Sequence, residues 1–278
     1  MIIWLASYPK SGNTWVRIFL SHMLSNEKDI DINKTKIFQF PKRKDFNGLS
    51  NNIDNLNEFV KNCIHAQSRI NLDNKIKIFK THNAFWKTGN YAFTNLENTV
   101  GCIYIVRDPR NIVTSIKNHY NLENYDKSSE FIFDEKKVLG IHDRARQEND
   151  IPTVISSWQN HYNSWKKLGT NYLLIKYEEL LINPINEFTK ILNFIEKFSD
   201  INFDKTALDN AIKACSFEKL KEREELNGFV EAPKNINGQK IKFFNLGKNN
   251  KWEILLDKNT IKNIEKKFKI EMEELNYL

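Results

Sequence analysis

Residues 2–20 read IIWLASYPKSGNTWVRIFL, and this stretch decides the fold. Ile2 to Ala6 is a short continuous apolar run, the pattern of a strand buried on both faces of a parallel sheet. Ser7 to Gly12 reads as a turn. From Asn13 to Leu24 the apolar residues Trp15, Val16, Phe19, Leu20, Met23 and Leu24 recur at helical spacing. Where a strand turns directly into a helix, the first N–H groups of the helix lack intrahelical partners and make an anion site. Lys10 adds a full positive charge there, Ser11 and Thr14 add hydroxyl donors, and Gly12 lets a ligand approach the backbone closely.

The Walker phosphate loop, G-x-x-x-x-G-K-S/T, does not fit this turn. Aligned on Gly12, its first glycine falls on Ser7 and its lysine on Asn13. A magnesium-dependent nucleotidase is therefore disfavoured. The residues alone leave four readings open: an ordinary strand–helix turn, an enzyme that binds a phosphorylated nucleotide, a metal-dependent phosphotransferase with an atypical loop, or a non-catalytic nucleotide or nucleic-acid binder. The phosphotransferase would need a metal-holding carboxylate at a strand end, and no convincing candidate stands there. The nucleic-acid reading lacks a recognised motif and interleaved basic and aromatic residues.

Outward from the loop, residues 75–79, 100–106 and 172–175 have the character of strands. Helices are expected over 55–69, from Asp108-Pro109 onward, and over 153–168, 185–195, 204–224 (with a break near Ser216) and 260–275. Asp108 suits an N-cap and Pro109 the first helical turn. Residues 26–52, 121–150 and 227–250 read as polar loops or excursions. Alternating strands and helices predict an α/β chain, one domain over residues 1–278, with a mostly parallel central sheet flanked by helices. Ligands in such folds gather at the carboxyl ends of the strands.

The chain has 278 residues and a formal charge of +7, which favours anionic partners or a lysine-rich solvated surface. Cys63, Cys102 and Cys215 are too far apart for a C-x-x-C pair, so neither a disulfide framework nor a metal site is expected. No apolar run approaches a membrane span, and no signal peptide opens the chain. A cytoplasmic protein with no membrane or nucleic-acid partner is the expectation.

Five motifs then carry a resemblance. Y-P-K-S-G-x-T-W at 8–15, directly after an N-terminal strand, resembles the 5′-phosphosulfate loop of the cytosolic-type sulfotransferases. Those enzymes use 3′-phosphoadenosine 5′-phosphosulfate (PAPS) and release adenosine 3′,5′-bisphosphate (PAP). IYIVRDPRNIVTS at 103–115 resembles their 3′-phosphate motif, with Arg107 and Ser115 as the phosphate contacts. KIFKTH at 77–82 is similar to their catalytic strand, which implies His82 as general base and Lys80 as a second cation beside Lys10. YLLIKYEELLINP at 172–184 and Cys215-Ser216-Phe217 resemble the adenine-contacting segments, which implies Tyr177, Ser216 and Phe217 at the base, with Trp15 stacked on it.

The resemblance implies a P-loop-nucleotide-kinase-like sulfotransferase fold, a bacterial-like small-molecule sulfotransferase, and no metal. Cosubstrate contacts fall on Lys10, Ser11, Gly12, Asn13, Thr14 and Trp15. Asn13 stands where the family has a second threonine. The family's C-terminal phosphate loop, R-K-G-x-x-G-x-W, corresponds to Asn245-Leu-Gly-Lys-Asn-Asn-Lys-Trp252. Gly247 keeps its place, the arginine and lysine are gone, and Lys248 or Lys242 is the expected substitute. A short dimerisation motif is not recognisable, so a homodimer stays an open alternative. The acceptor is expected to be a small molecule carrying a hydroxyl or amine. Phe38, Phe40, Phe46, Phe85, Trp86, Phe131, Phe133 and Phe229 are candidates for its aromatic walls. Of the other histidines, His22, His119 and His161 read as helical packing residues, and His65 and His142 as surface or packing. Arg110, close to the 3′-phosphate motif, reads either as a further cation there or as a solvated helix residue.

Overall fold

The first strand, β1 (Ile2–Ser7), is buried along its whole length, and its side chains alternate between two cores. Ile2, Trp4 and Ala6 enter one core; Ile3 and Leu5 enter the other. A strand with helices on both faces has no polar side to show, which is why its sequence is uniformly apolar. The computed structural model describes residues 1–25, 29–140, 151–235 and 237–278.

From β1 the chain enters α1 (Asn13–Met23), then β2 (Phe38–Gln39), α2 (Leu56–Ile70) and β3 (Lys77–Thr81). A two-residue hairpin, β4 (Lys87–Thr88) with β5 (Tyr91–Ala92), precedes β6 (Thr99–Val106) and α3 (Pro109–His119). α4 (Tyr125–Phe133) and the ribbon of β7 (Val138–Leu139) with β8 (Thr153–Val154) lead to α5 (Trp158–Trp165) and β9 (Tyr172–Lys176). The helices α6 (Tyr177–Ile182), α7 (Pro184–Phe198), α8 (Leu208–Ala214) and α9 (Phe217–Asn227) follow. α10 (Trp252–Leu255), α11 (Lys258–Lys267) and α12 (Lys269–Glu274) close the chain.

The central sheet has the order β2-β3-β1-β6-β9, and every pairing in it is parallel. The first core packs α2, α3, α5, α11 and α12 on one face, and the second packs α1, α7, α8 and α9 on the other. β1 lies between β3 and β6, so the carboxyl ends of these three strands share one edge. That edge, where successive connections leave in opposite directions, is the ligand position of such sheets. The three cysteines are unpaired and buried. No helix among the described residues is long and apolar enough to cross a membrane.

The expected elements shift in five places. The strand expected at 75–79 runs over Lys77–Thr81, carrying Lys80 into the sheet's end. The helix expected from 153 begins at Trp158; the β-branched Thr153 and Val154 form a strand, and the Ser157 hydroxyl caps the helix by accepting from Asn160 N. The polar excursion contains α4, which buries Phe131 and Ile132; residues 141–150, His142 among them, lie outside the described residues. The terminal helix breaks at Phe268, between α11 and α12. The loop read at 26–52 contributes β2, whose short pairing with β3 is set by Phe38 and Gln39.

Candidate active site

The turn after β1 is built from two left-handed residues. Lys10 has φ +69° and Gly12 φ +100°. The second needs glycine for space as well as for its dihedral: a Cβ there would stand 2.5 Å from the Tyr177 ring. Gly12 caps α1 without a side-chain hydrogen bond, so the helix's first N–H groups are not served by a capping side chain. Ser11 is fully buried, and its hydroxyl has no hydrogen-bond partner among the described residues. Asn13 turns inward: its amide donates to Leu5 O at 3.0 Å and Ser7 Oγ at 3.2 Å, clamping the start of α1 to β1. Thr14 is half-buried on the first turn.

Cations crowd this turn. Arg107, at the end of β6, donates from Nη1 to Lys10 O at 3.0 Å and to Ser115 Oγ at 3.3 Å. Its guanidinium lies 4.2 Å from the Tyr177 ring centre, and its buried Nε has no partner among the described residues. Lys10 Nζ is 3.1 Å from His119 Nδ1 and 4.3 Å from the centre of the Phe243 ring. Burial, and then the Arg107 charge, lower the Lys10 ammonium to about 7. Burial and the charges of Lys10 and Lys80 hold His119 down at about 3. A neutral His119 therefore accepts from Lys10 at Nδ1. Lys80 is buried at the end of β3 and donates to Gln39 Oε1 at 2.9 Å.

His82 sits just past β3, beside the end of β1. Its Nδ1 lies 2.8 Å from Ser7 O, a carbonyl that can only accept. The ring's proton is thereby assigned to Nδ1, leaving a lone pair on Nε2. Nε2 takes no hydrogen bond among the described residues. Burial first, and Lys80 second, keep the imidazole well below its ordinary range, so the ring is neutral at pH 7. Behind it, His161 Nε2 donates to His82 O at 3.0 Å and its Nδ1 accepts from Tyr104 Oη at 2.8 Å. The next residue is pinned as well: Trp165 Nε1 donates to Asn83 O at 3.0 Å, and Val154 N to Asn83 Oδ1 at 2.9 Å.

The remaining sequence candidates divide. Trp15 and Tyr177 meet edge-to-face, 6.0 Å between ring centres, beside the turn. Phe217 opens α9, and the Ser216 hydroxyl caps that helix by accepting from Lys219 N. Gly247 presses on the Phe217 ring and leaves no room for a Cβ. The side chain of Lys248 lies outside the described residues. Lys242, the other substitute, is paired with Glu225 at 2.7 Å on the surface.

Arg110 is not solvated: it is buried, paired with Asp108 at 2.7 Å and Glu265 at 2.6 Å, and stacked 3.8 Å from the Trp252 ring centre. Phe40, Phe46, Phe131 and Phe229 are buried packing residues, whereas Phe38 is 52 % exposed and Phe85, Trp86 and Phe133 are partly buried. Sequence reasoning missed His119 and Phe243 at Lys10, and Asn250 at Ser115. Their partners lie more than 100 residues away in the chain, and no local pattern marks them.

This strand edge gathers a helix N-terminus, the buried Lys80 and Arg107, the half-buried Lys10 and a neutral imidazole. The sulfotransferase domain model matches residues 2–276.

The chain belongs to the sulfotransferase domain family.

Relatives within the family include sulfotransferase 1B1 from Canis lupus familiaris, 26 % identical, with 91 % of this chain and 81 % of that protein covered. Flavonol 3-sulfotransferase from Flaveria bidentis is 23 % identical, covering 95 % of this chain and 79 % of its own length. Among solved structures, mouse sulfotransferase SULT7A1 complexed with PAP shares the fold at TM-score 0.57 and 19 % identity, covering 98 % of this chain and 84 % of that one. Retinol dehydratase in complex with androsterone and PAP shares it at TM-score 0.60 and 16 % identity, covering 98 % and 80 %.

Proposed function

We propose that this sulfotransferase-family chain, as one domain over residues 1–278, moves a sulfuryl group from PAPS to a hydroxyl or amine of a small-molecule acceptor, with His82 as general base, and releases PAP. The observation that carries the reading is the Ser7 carbonyl on His82 Nδ1, 2.8 Å away, which leaves a neutral ring with its Nε2 lone pair available at the shared strand edge. The fit to an adenosine carrying two anionic groups rests on the unanswered charge and donors around it. Ser11 Oγ and Arg107 Nε are buried without partners among the described residues, and Lys10 is depressed by burial and by Arg107. An anion answers all three.

Lys10, Ser11, Gly12, Asn13 and Thr14 would hold the 5′-phosphosulfate, Asn13 by its backbone N–H since its amide is spent on β1. Arg107 and Ser115 would hold the 3′-phosphate. Trp15, Tyr177, Ser216, Phe217, Gly247 and Lys248 would border the adenosine. When bound, PAPS supplies an activated sulfuryl group on a phosphate leaving group. His82 Nε2 takes the acceptor's proton, and its low affinity for a proton keeps it available as a base through neutral pH. Lys10 balances the charge left on the phosphate, and Lys80 adds a second positive charge at the same edge. These cations are preorganised by the strands that carry them, so little rearrangement is needed.

A transfer assay with labelled PAPS across a panel of phenols, alcohols and amines tests the reading. His82→Ala should bind PAP as the unaltered chain does and lose transfer by about 10²–10⁴-fold. Near-normal turnover in His82→Ala would remove His82 from the base role.

A further inference from the structure

The family's C-terminal phosphate loop loses its arginine at Asn245; Lys242 is paired with Glu225 on the surface, and the side chain of Lys248 lies outside the described residues. The structure offers a different residue. Asn250 enters from the segment before α10 and is 92 % buried against α3. Its Nδ2 donates to Ser115 Oγ at 2.9 Å and to Asn111 O at 3.1 Å. The Asn111 carbonyl can only accept, which fixes Nδ2 as the end of the amide that faces Ser115; Thr114 Oγ1, which shares its one proton between Asn111 O and Asn250 Oδ1, lies at the other end.

Ser115 Oγ thus receives two donors, Asn250 Nδ2 and Arg107 Nη1. A hydroxyl has two lone pairs and one proton. With both lone pairs engaged, the Ser115 proton is the one capacity left, and no acceptor takes it among the described residues. The Asn250 amide therefore converts Ser115 from a hydroxyl of free orientation into a dedicated donor, aimed beside the Arg107 guanidinium. Hydrogen bonds to a charged acceptor are the strong ones, and a donor already polarised by two others gains further.

We propose that Asn250 is a positioning residue for anion recognition: it holds Ser115 as a hydrogen-bond donor to the nucleotide's 3′-phosphate, a place where the family pattern has glycine. The inference rests on the PAP-binding reading above. It is tested by titration calorimetry of the full chain with PAP and with adenosine 5′-monophosphate, which lacks the 3′-phosphate. In Asn250→Asp the amide donor becomes an acceptor, Ser115 turns its proton toward it, and PAP affinity should fall by about ten-fold or more. Affinity for adenosine 5′-monophosphate should change less than about two-fold. Asn250→Ser, a shorter side chain that still offers a donor, should retain part of the preference for PAP. Equal losses for both nucleotides would mark a packing role alone and overturn the proposal, as would an unchanged PAP affinity in Asn250→Asp. An unaltered chain that binds PAP no better than adenosine 5′-monophosphate would overturn the nucleotide reading itself.

Discussion

Lys10 concentrates the physics of the site in one side chain. It stands in a left-handed backbone conformation, against Phe243 and His119, beside Arg107. With an ammonium pKa of about 7, it is charged below neutrality and increasingly neutral above it. A bound anion favours the charged form and raises that pKa. Below pH 7 the proton is already present, so Lys10 adds no pH dependence to PAP binding; above pH 7 binding must take up a proton. Affinity should therefore fall between pH 7 and 9, by up to about ten-fold per unit. Calorimetry in two buffers of different ionisation enthalpy would read the proton uptake at pH 8. Lys10→Arg, always charged, should flatten the profile. A pH-independent affinity in the unaltered chain would contradict the depressed ammonium. Transfer rate at saturating substrate should in turn hold down through pH 6, because His82 protonates only well below its ordinary range. A rate that halves near pH 6.5 would mean that another group, or an unperturbed His82, sets the limb.

At the scale of elements, the roof over Lys10 depends on a carboxylate. Glu224, in the last turns of α9, is buried and accepts from Phe243 N at 2.7 Å and Phe244 N at 2.8 Å. That pair of bonds ties an irregular segment to a helix and sets the Phe243 ring over the ammonium. Glu224→Ala leaves two backbone donors without their carboxylate and should cost about 2 kcal/mol of stability. It should also loosen the Phe243 contact and so weaken PAP binding more than the stability loss alone accounts for at saturating folded fraction. Thermal unfolding followed with and without PAP separates the two; a ligand-induced stabilisation equal to that of the unaltered chain would show that the segment is not part of the roof. The same scale explains α4, absent from the sequence reading. Its first half is polar, Ser128 and Ser129 donate back to Asn124 O and Tyr125 O, and only Phe131 and Ile132 mark its buried face. Asn124, which caps it by accepting from Lys127 N, was the available signal.

Across the whole molecule, Arg110 joins the start of α3 to the C-terminal helices. Asp108, Glu265 and the Tyr277 carbonyl surround its guanidinium, and Trp252 stacks on it. Breaking a buried pair strands a charge, so Arg110→Met should destabilise by about 3–5 kcal/mol. Urea unfolding should show a lower midpoint with the slope unchanged. A shift under about 1 kcal/mol would mean that the C-terminal helices dock without it.

Local chemistry made much of this legible in advance. The apolar run of β1, the glycine-bearing turn and the helical spacing after it identify a strand–turn–helix anion site, because each depends on residues within a few positions of one another. Strands alternating with helices likewise imply a parallel sheet, and the motifs around Lys10, His82 and Arg107 imply the family that the domain match shows. Strand order was not legible: the placement of β1 between β3 and β6 depends on which faces the helices cover. Nor were Arg110's burial, the Lys10–His119 contact, or the Asn250–Ser115 bond that spans 135 positions of chain. Hydrogen bonds and desolvation depend on distances of about 3 Å, and the folded chain alone brings residues so far apart in sequence to that range.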